Sequence, residues 1–229
     1  VIMSPEQLTG QVTTHLVETM VGQKSFLVHP NVSEDLLALK QSAAEAGFNL
    51  NIASGFRDFE RQRTIWDNKM SGRSAILDSE AHRLNPTLLS DTQKVSAILR
   101  WSALPGASRH HWGTDFDVFD RYSLPKEKQL KLEPWEYHSG HQSNFYQWLS
   151  NHVNMFGFFF PYAKDQGGVS PEPWHISHAA TAKSCIQLLT IKVLKQQLQS
   201  ASFLGKDIVL VDLKKIYTQF INNIEQQVP

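Results

Sequence analysis

The sequence predicts an α+β fold, with strands clustered in the middle of the chain and helices before and after them. Three observations predict it. Residues 49–53 and 114–119 alternate polar and apolar side chains, as half-buried strands do. Apolar residues recur at helical spacing over 33–47 and again over 179–200. The chain has 229 residues, 10% of them aromatic, which is enough for one sizeable core and a lined pocket. A single domain over residues 1–229 is therefore expected.

Taken in order, residues 5–20 are predicted as a first helix, with Leu8, Val12, Leu16 and Val17 on one side. Residues 33–47 form a second, opened by Ser33 as N-cap and stopped by Gly47. Asn49-Leu50-Asn51-Ile52-Ala53 is a strand, broken by Ser54-Gly55. Asp58 caps a helix over 59–69. Residues 70–89 lack periodicity and read as an insertion or flap. Ser90-Asp91-Thr92-Gln93 is a capping box that opens a helix to residue 101. Residues 114–119 form a strand with Phe116 and Val118 opposite Asp115 and Asp117. A long polar loop over 120–142 leads to a helix over 143–155, capped by Ser143. An aromatic strand over 157–162 follows, then a turn at Asp165-Gln166-Gly167-Gly168 and a short strand over 174–177. Helices over 179–200 and 212–224 close the chain.

Composition narrows the function classes. Lys+Arg and Asp+Glu are equal in number, so no basic field invites a nucleic-acid backbone. No apolar run reaches transmembrane length. The one cysteine, Cys185, excludes an internal disulfide and lies in an apolar helical run, where a buried structural thiol is expected. Val1-Ile2-Met3-Ser4-Pro5 has neither the charged nor the long apolar region of a secretory leader. A chain opening on Val1 reads as trimmed, which is compatible with a removed leader or anchor.

Two short stretches carry the chemistry. The first is Ser108-Arg109-His110-His111-Trp112-Gly113-Thr114-Asp115-Phe116-Asp117; the second is Glu172-Pro173-Trp174-His175. They offer two imidazoles, a carboxylate and a spare glutamate. Imidazole and carboxylate suit Zn2+, and three protein ligands plus water mark a catalytic rather than a closed structural site. Gly113 permits the turn that brings His110 back onto the strand bearing Asp117. Glu172, three residues before His175, is close enough to take a proton from a water whose pKa the metal lowers to about 7. The set favours a hydrolase over a binding module.

The pattern Ser108-x-His110-x-x-Gly113-x-x-x-Asp117 followed by Glu172-Pro173-Trp174-His175 resembles the zinc D-alanyl-D-alanine carboxypeptidases of the VanY type. Ser54-Gly55-Phe56-Arg57, with Gln62 five residues after the arginine, strengthens the likeness, which covers roughly residues 34–195. The resemblance implies a central, mostly antiparallel sheet carrying one zinc ion, flanked by helices in the Hedgehog and DD-peptidase manner, with helical extensions at both ends. It implies His110, Asp117 and His175 as zinc ligands, Glu172 as general base and later proton donor, and Arg57 as the group that stabilises the oxyanion. Gln62 and Ser108 would position substrate, Ser108 near its terminal carboxylate, and Trp174 would wall the pocket. The implied partner is a peptidoglycan stem peptide, in the periplasm or cell envelope, with loss of a C-terminal D-amino acid. L,D-carboxypeptidase or endopeptidase action is the alternative within the family. A non-catalytic domain that keeps its metal is the alternative outside it, opposed by the presence of both Arg57 and Glu172. A structural zinc would need a fourth ligand, for which Asp115 is the obvious choice.

Two departures stand out. Asp115 replaces the family's usual alanine; on a strand it points the same way as Asp117, either behind the ligands or as extra charge in the pocket, and it competes with Asp117 as ligand. Pro161-Tyr162 stands where the family often has Arg-Tyr, so that arginine's substrate contact is missing. Other histidines read as bystanders: His111 in packing or hydrogen bonding, His138 and His141 as solvated loop residues, His178 behind the site or on the surface. Phe156 to Phe160 read as core.

Overall fold

Two strands, each buried along its whole length, form the middle of a four-stranded sheet: β4 (Asp115–Asp120) and β6 (His175–His178). The computed structural model of the protein describes residues 2–226. The sheet comprises β3 (Leu50–Ser54), β4 (Asp115–Asp120), β5 (Phe158–Phe159) and β6 (His175–His178), in the order β3-β4-β6-β5. All three pairings are antiparallel. Across the β4–β6 ladder Asp115 faces Ser177, Phe116 faces Ile176 and Asp117 faces His175. Successive side chains alternate faces, so Asp115, Asp117, His175 and Ser177 share one face while Phe116, Val118 and Ile176 share the other.

The apolar face packs with Leu50 and Ile52 of β3 and Phe158 of β5 onto α2 (Ser33–Glu45) and α6 (Ser143–His152), through Leu36, Leu39, Ala43, Phe145 and Leu149. A second core joins the helices of the other half: α3 (Phe59–Met70), α4 (Asp91–Leu99), α7 (Ala179–Leu188), α8 (Ile191–Gln199), α9 (Lys206–Val211) and α10 (Leu213–Ile216). Trp66, Ile98, Leu99, Cys185, Leu194 and Leu198 are among its buried members, with Trp112 from the turn that precedes β4. The fold is thus α+β, as the patterning predicts.

Several elements differ from the sequence reading, each for a local reason. Residues 5–20 are not one helix. The Ser4–Gln7 capping box starts a single turn, α1 (Pro5–Leu8), and Gly10 at φ 74° ends it. A hairpin follows, β1 (Val17–Val21) and β2 (Lys24–Val28), turned at Gly22 with φ 67°. Ser33 is the first residue of α2 rather than its cap, and its hydroxyl meets Thr19 Oγ1 at 2.8 Å. The loop over 120–142 contains α5 (Pro134–His138), which has proline in its first turn and a Glu133–Glu136 capping box. The aromatic strand over 157–162 shrinks to β5, and α6 gives way to a 3-10 turn, Val153–Phe156. The helix over 179–200 breaks because Thr190 caps a new one, accepting from Val193 N at 3.2 Å. The last helix starts earlier and divides into α9, α10 and a π-helical turn, Tyr217–Ile221.

The N-terminal segment packs behind the turn that precedes β4. Trp112 Nε1 donates to Leu8 O at 3.0 Å, Phe59 N to Gly10 O at 2.8 Å, and His29 N to Gly113 O at 2.9 Å. His29 is buried, and its Nδ1 accepts from Asn31 N at 3.1 Å. Burial, with the nearby His15 and His178, pulls its pKa from the usual 6.5 to about 4. A lowered folded pKa means the unfolded chain binds the extra proton, so this contribution to stability is full above pH 6.5 and is lost as pH falls toward 4. The melting temperature is expected to fall over that interval, and His29→Asn, which keeps an acceptor, to flatten the fall. Equal slopes in the two proteins would show that His29 does not contribute.

Candidate active site

The polar face of the β4–β6 ladder forms the floor of a cleft of about 680 Å³, and all eight residues singled out from the sequence line it. Ser108 caps a 3-10 turn, Arg109–Trp112, which presents His110. Gly113 closes the turn at φ 72°, and a Cβ there would meet Leu16 and lie 2.8 Å from His29 N, so only glycine fits. His110 Nδ1 donates to Gly55 O at 2.9 Å, which leaves Nε2 facing Asp117 Oδ1 at 3.5 Å. His175 lies opposite Asp117 in register, its Nδ1 3.7 Å from the same oxygen. Each of the three residues offers a ligand atom within 4.8 Å of the others.

These residues fit a metal ion. Asp117 Oδ1 is buried and has no hydrogen-bond partner, an arrangement that calls for a cation. Burial alone would push Asp117 up; His110, His175 and Arg57 outweigh it and hold the carboxyl below its usual range. Burial pulls His175 down, but hydrogen bonds with Asp115 and Glu172 and the charges of Asp115 and Asp117 push it up to about 10. The local field therefore favours positive charge. Two imidazoles and a carboxylate, each imidazole held through its other nitrogen, form a donor set for a divalent transition metal.

Glu172 and Arg57 flank this set. Glu172 Oε2 lies 2.9 Å from His175 Nδ1. Its backbone is fixed at both ends, Glu172 N donating to Tyr162 O at 2.9 Å and His175 N to Glu172 O at 3.2 Å. Arg57 follows β3, and its N–H donates to His110 O at 3.2 Å. Its guanidinium donates to Gln62 Oε1 and Ser54 Oγ, both at 2.8 Å. Burial lowers its pKa, and the carboxylates of Asp117 and Glu172 act to restore it. Gln62 also donates to Ala103 O at 2.8 Å, so its amide is occupied in holding Arg57 in place. Ser108 Oγ accepts from His110 N at 3.3 Å. Trp174 tilts against Tyr137 with ring centres 5.7 Å apart.

The remaining histidines separate cleanly. His111 donates from Nδ1 to Arg57 O at 2.6 Å and accepts at Nε2 from Gly106 N at 3.1 Å; burial lowers it to about 3. His178 joins Asp35 at 2.7 Å and Thr181 at 2.9 Å, tying β6 to α2 away from the cleft. His141 is not a solvated loop residue: it pairs at 3.0 Å with Glu136, which is buried. Cys185 is buried, and burial pushes its thiol up to about 12.

Sequence reasoning missed Arg109, whose buried guanidinium grips Asp115 through Nε at 2.8 Å. The partnership spans a turn and a glycine, which no linear spacing rule detects. Asp115 itself accepts four hydrogen bonds and stands behind His175, outside the ligand set. Two segments form lips of the cleft, the first within the 70–89 segment read as an insertion or flap and the second unread. One is a turn over 77–81 from the aperiodic insertion, held by a bridge between Leu77 and Arg83; the other is 131–134, leading into α5. Tyr162 packs edge-on against His175 at 5.1 Å.

Residues 25–181, well over half of the chain, match the VanY family model, described as D-alanyl-D-alanine carboxypeptidase, and the chain belongs to that family. A protein of Haemophilus influenzae with no assigned activity is 36% identical over 121 residues, 52% of this chain and 92% of the relative. The fold is shared with a vancomycin-resistance D,D-pentapeptidase VanY variant in complex with Zn(II), at TM-score 0.51 and 24% identity, covering 82% of this chain and 92% of that one. It is shared also with the LdcB LD-carboxypeptidase, at TM-score 0.53 and 19% identity, covering 83% and 80%.

Gly113→Ala is expected to lower stability by about 1–3 kcal/mol through the strained left-handed backbone, and by more through the clash with His29 N. Because the same turn presents His110, metal content should fall with it. Thermal melting and elemental analysis test this together; a variant with full metal content and an unchanged melting temperature would refute the role given to the turn.

Proposed function

We propose that the protein is a zinc-dependent carboxypeptidase that removes a C-terminal D-amino acid, of the D-Ala-D-Ala type, from peptidoglycan stem peptides or their precursors. One observation carries the reading. A His-Asp-His ligand set, a glutamate outside that set and a half-buried arginine meet in a single cleft. That a VanY structure of the same fold holds Zn(II) supports zinc as the metal.

His110 Nε2, Asp117 and His175 Nδ1 would hold the ion. When bound, zinc polarises a carbonyl and lowers the pKa of water, supplying a nucleophile at neutral pH. Glu172, beside His175, takes the proton of the attacking water and later delivers it to the departing amine. Arg57, fixed by Gln62 and Ser54, sets a cation where negative charge develops on the carbonyl oxygen. Its preorganisation is the reason Gln62 matters: an arginine already held loses little freedom as the transition state forms. Ser108 faces the end of the cleft that takes the substrate's terminal carboxylate, and Trp174 walls it. The segments over 77–81 and 131–134 also line the cleft and would contact the preceding residues of the peptide.

This substrate places the reaction outside the cytoplasm, in the periplasm or cell envelope. Among the described residues no helix is long and apolar enough to cross a membrane. The second reading, L,D-carboxypeptidase action on a tetrapeptide stem, is favoured by the fold shared with LdcB.

Glu172→Ala should keep zinc and lose at least about 100-fold in kcat, the scale of a positioned acid–base group. His110→Ala and His175→Ala should lose the metal itself. Undiminished turnover in the first variant, or full zinc by elemental analysis in the others, would overturn the roles. Mass spectrometry of defined tri-, tetra- and pentapeptide stems decides specificity. Release of one terminal D-alanine from the pentapeptide is expected, and cleavage confined to the tetrapeptide would establish the L,D reading instead.

A further inference from the structure

We infer that Asp115, neutralised by Arg109, is a positioning residue that fixes the orientation of His175 so that Nδ1 faces the metal site. The inference rests on the reading of His175 as a zinc ligand and goes beyond it, because the family's usual residue at this place is alanine.

The geometry is specific. Asp115 is fully buried, and each of its oxygens receives two donors. Oδ2 accepts from His175 Nε2 at 2.7 Å and from Arg109 Nε at 2.8 Å. Oδ1 accepts from Thr114 Oγ1 at 2.6 Å and from Ser177 Oγ at 2.9 Å. Ser177 in turn accepts from Arg109 Nη2 at 2.7 Å. The carboxylate is thus saturated and cannot turn toward the ligand set. Arg109 itself lies over the Trp112 ring at 5.0 Å, which fixes the guanidinium against the core.

The consequence for His175 follows from its two nitrogens. Nε2 donates to Asp115, so Nδ1 is the nitrogen left to meet a metal, and it lies 3.7 Å from Asp117 Oδ1. Glu172 also reaches Nδ1, at 2.9 Å. Without an acceptor behind the ring, Glu172 would be the strongest partner left to His175, and the imidazole would be drawn toward the base and away from the ligand geometry. Asp115 holds the ring from behind and leaves Glu172 for proton transfer. His110 has the same kind of support from a neutral carbonyl, Gly55 O. His175 has a charged one, Asp115 Oδ2.

Removing Asp115 alone would strand the buried Arg109 charge, so the test removes both charges and varies only the acceptor. Arg109→Met with Asp115→Asn keeps a carbonyl that can accept from Nε2, whereas Arg109→Met with Asp115→Ala does not. Zinc dissociation constants are measured by competition with a chromophoric chelator, and the melting temperatures of the metal-free proteins are recorded alongside. The alanine form should bind zinc about 10–100-fold more weakly than the asparagine form, with metal-free melting temperatures that match. Equal zinc affinity in the two double variants would overturn the proposal. So would a loss of affinity matched by a proportionate loss of metal-free stability, since a merely structural role predicts that. A wild-type protein that binds no zinc would instead overturn the reading of the site as a zinc centre, and the proposal with it.

Discussion

The site depends on one constraint, the antiparallel register between β4 and β6. Because Asp117 and His175 lie directly opposite each other, their side chains emerge side by side on one face. Their neighbours Phe116 and Ile176, also opposite each other, are driven into the core on the other face. The hydrophobic effect therefore sets the register, and the register sets the geometry of the candidate ligands. A slip of one residue would turn Asp115 and Asp117 against α2 and α6 and expose the apolar set, which the burial of Phe116, Val118 and Ile176 forbids. The second carboxylate, Asp115, benefits from the same pairing: it meets Ser177 across the ladder and the back of His175 diagonally.

Much of this was legible in the chain. The alternation through Asp115 to Phe119 shows which residues of β4 share a face, and Gly113 marks the turn that returns His110 to it. The caps at Asp58 and Ser90 are local hydrogen-bonding devices, and both appear where expected, accepting from Arg61 N and Gln93 N. What was not legible was decided over distance. Residues 5–20 carry helical spacing, yet Gly10 and the run of β-branched residues after it serve a hairpin that packs against the turn at Gly113. Likewise the apolar spacing over 179–200 continues through Thr190, where capping starts a new helix. Arg109 illustrates the limit for the site. Nothing in a linear reading says that a charged residue between Ser108 and His110 points inward, because its partners come from β4 and β6.

Electrostatics and packing meet at the same place. Asp115, Asp117, Arg109 and His175 are all buried, and none is left without an opposite charge nearby. Burial pushes Asp115 up, and Arg109, His175 and Thr114 reverse this and hold it well below the usual carboxylate range. Such a network is costly to assemble and severe to break, which favours a single arrangement of the ligands over several similar ones.

The loop that carries Glu172 is anchored from a distance. Arg100 grips Asp165 with both terminal nitrogens, at 2.9 and 2.6 Å, and reaches Gly168 O at 2.9 Å. From the C-terminal side Gln219 donates to Gly167 O and Asn223 to Gln166 O, at 2.9 and 3.0 Å. Those two residues lie beyond the matched span of 25–181, as does Leu8, which holds Trp112 beside the histidine turn. A fragment trimmed to residues 25–181 would keep all eight candidate site residues and lose the struts behind the turn before β4 and the loop of Glu172. Segments outside the family match are in this way part of what keeps the candidate site rigid, and changes there could alter its behaviour without touching any residue that lines it.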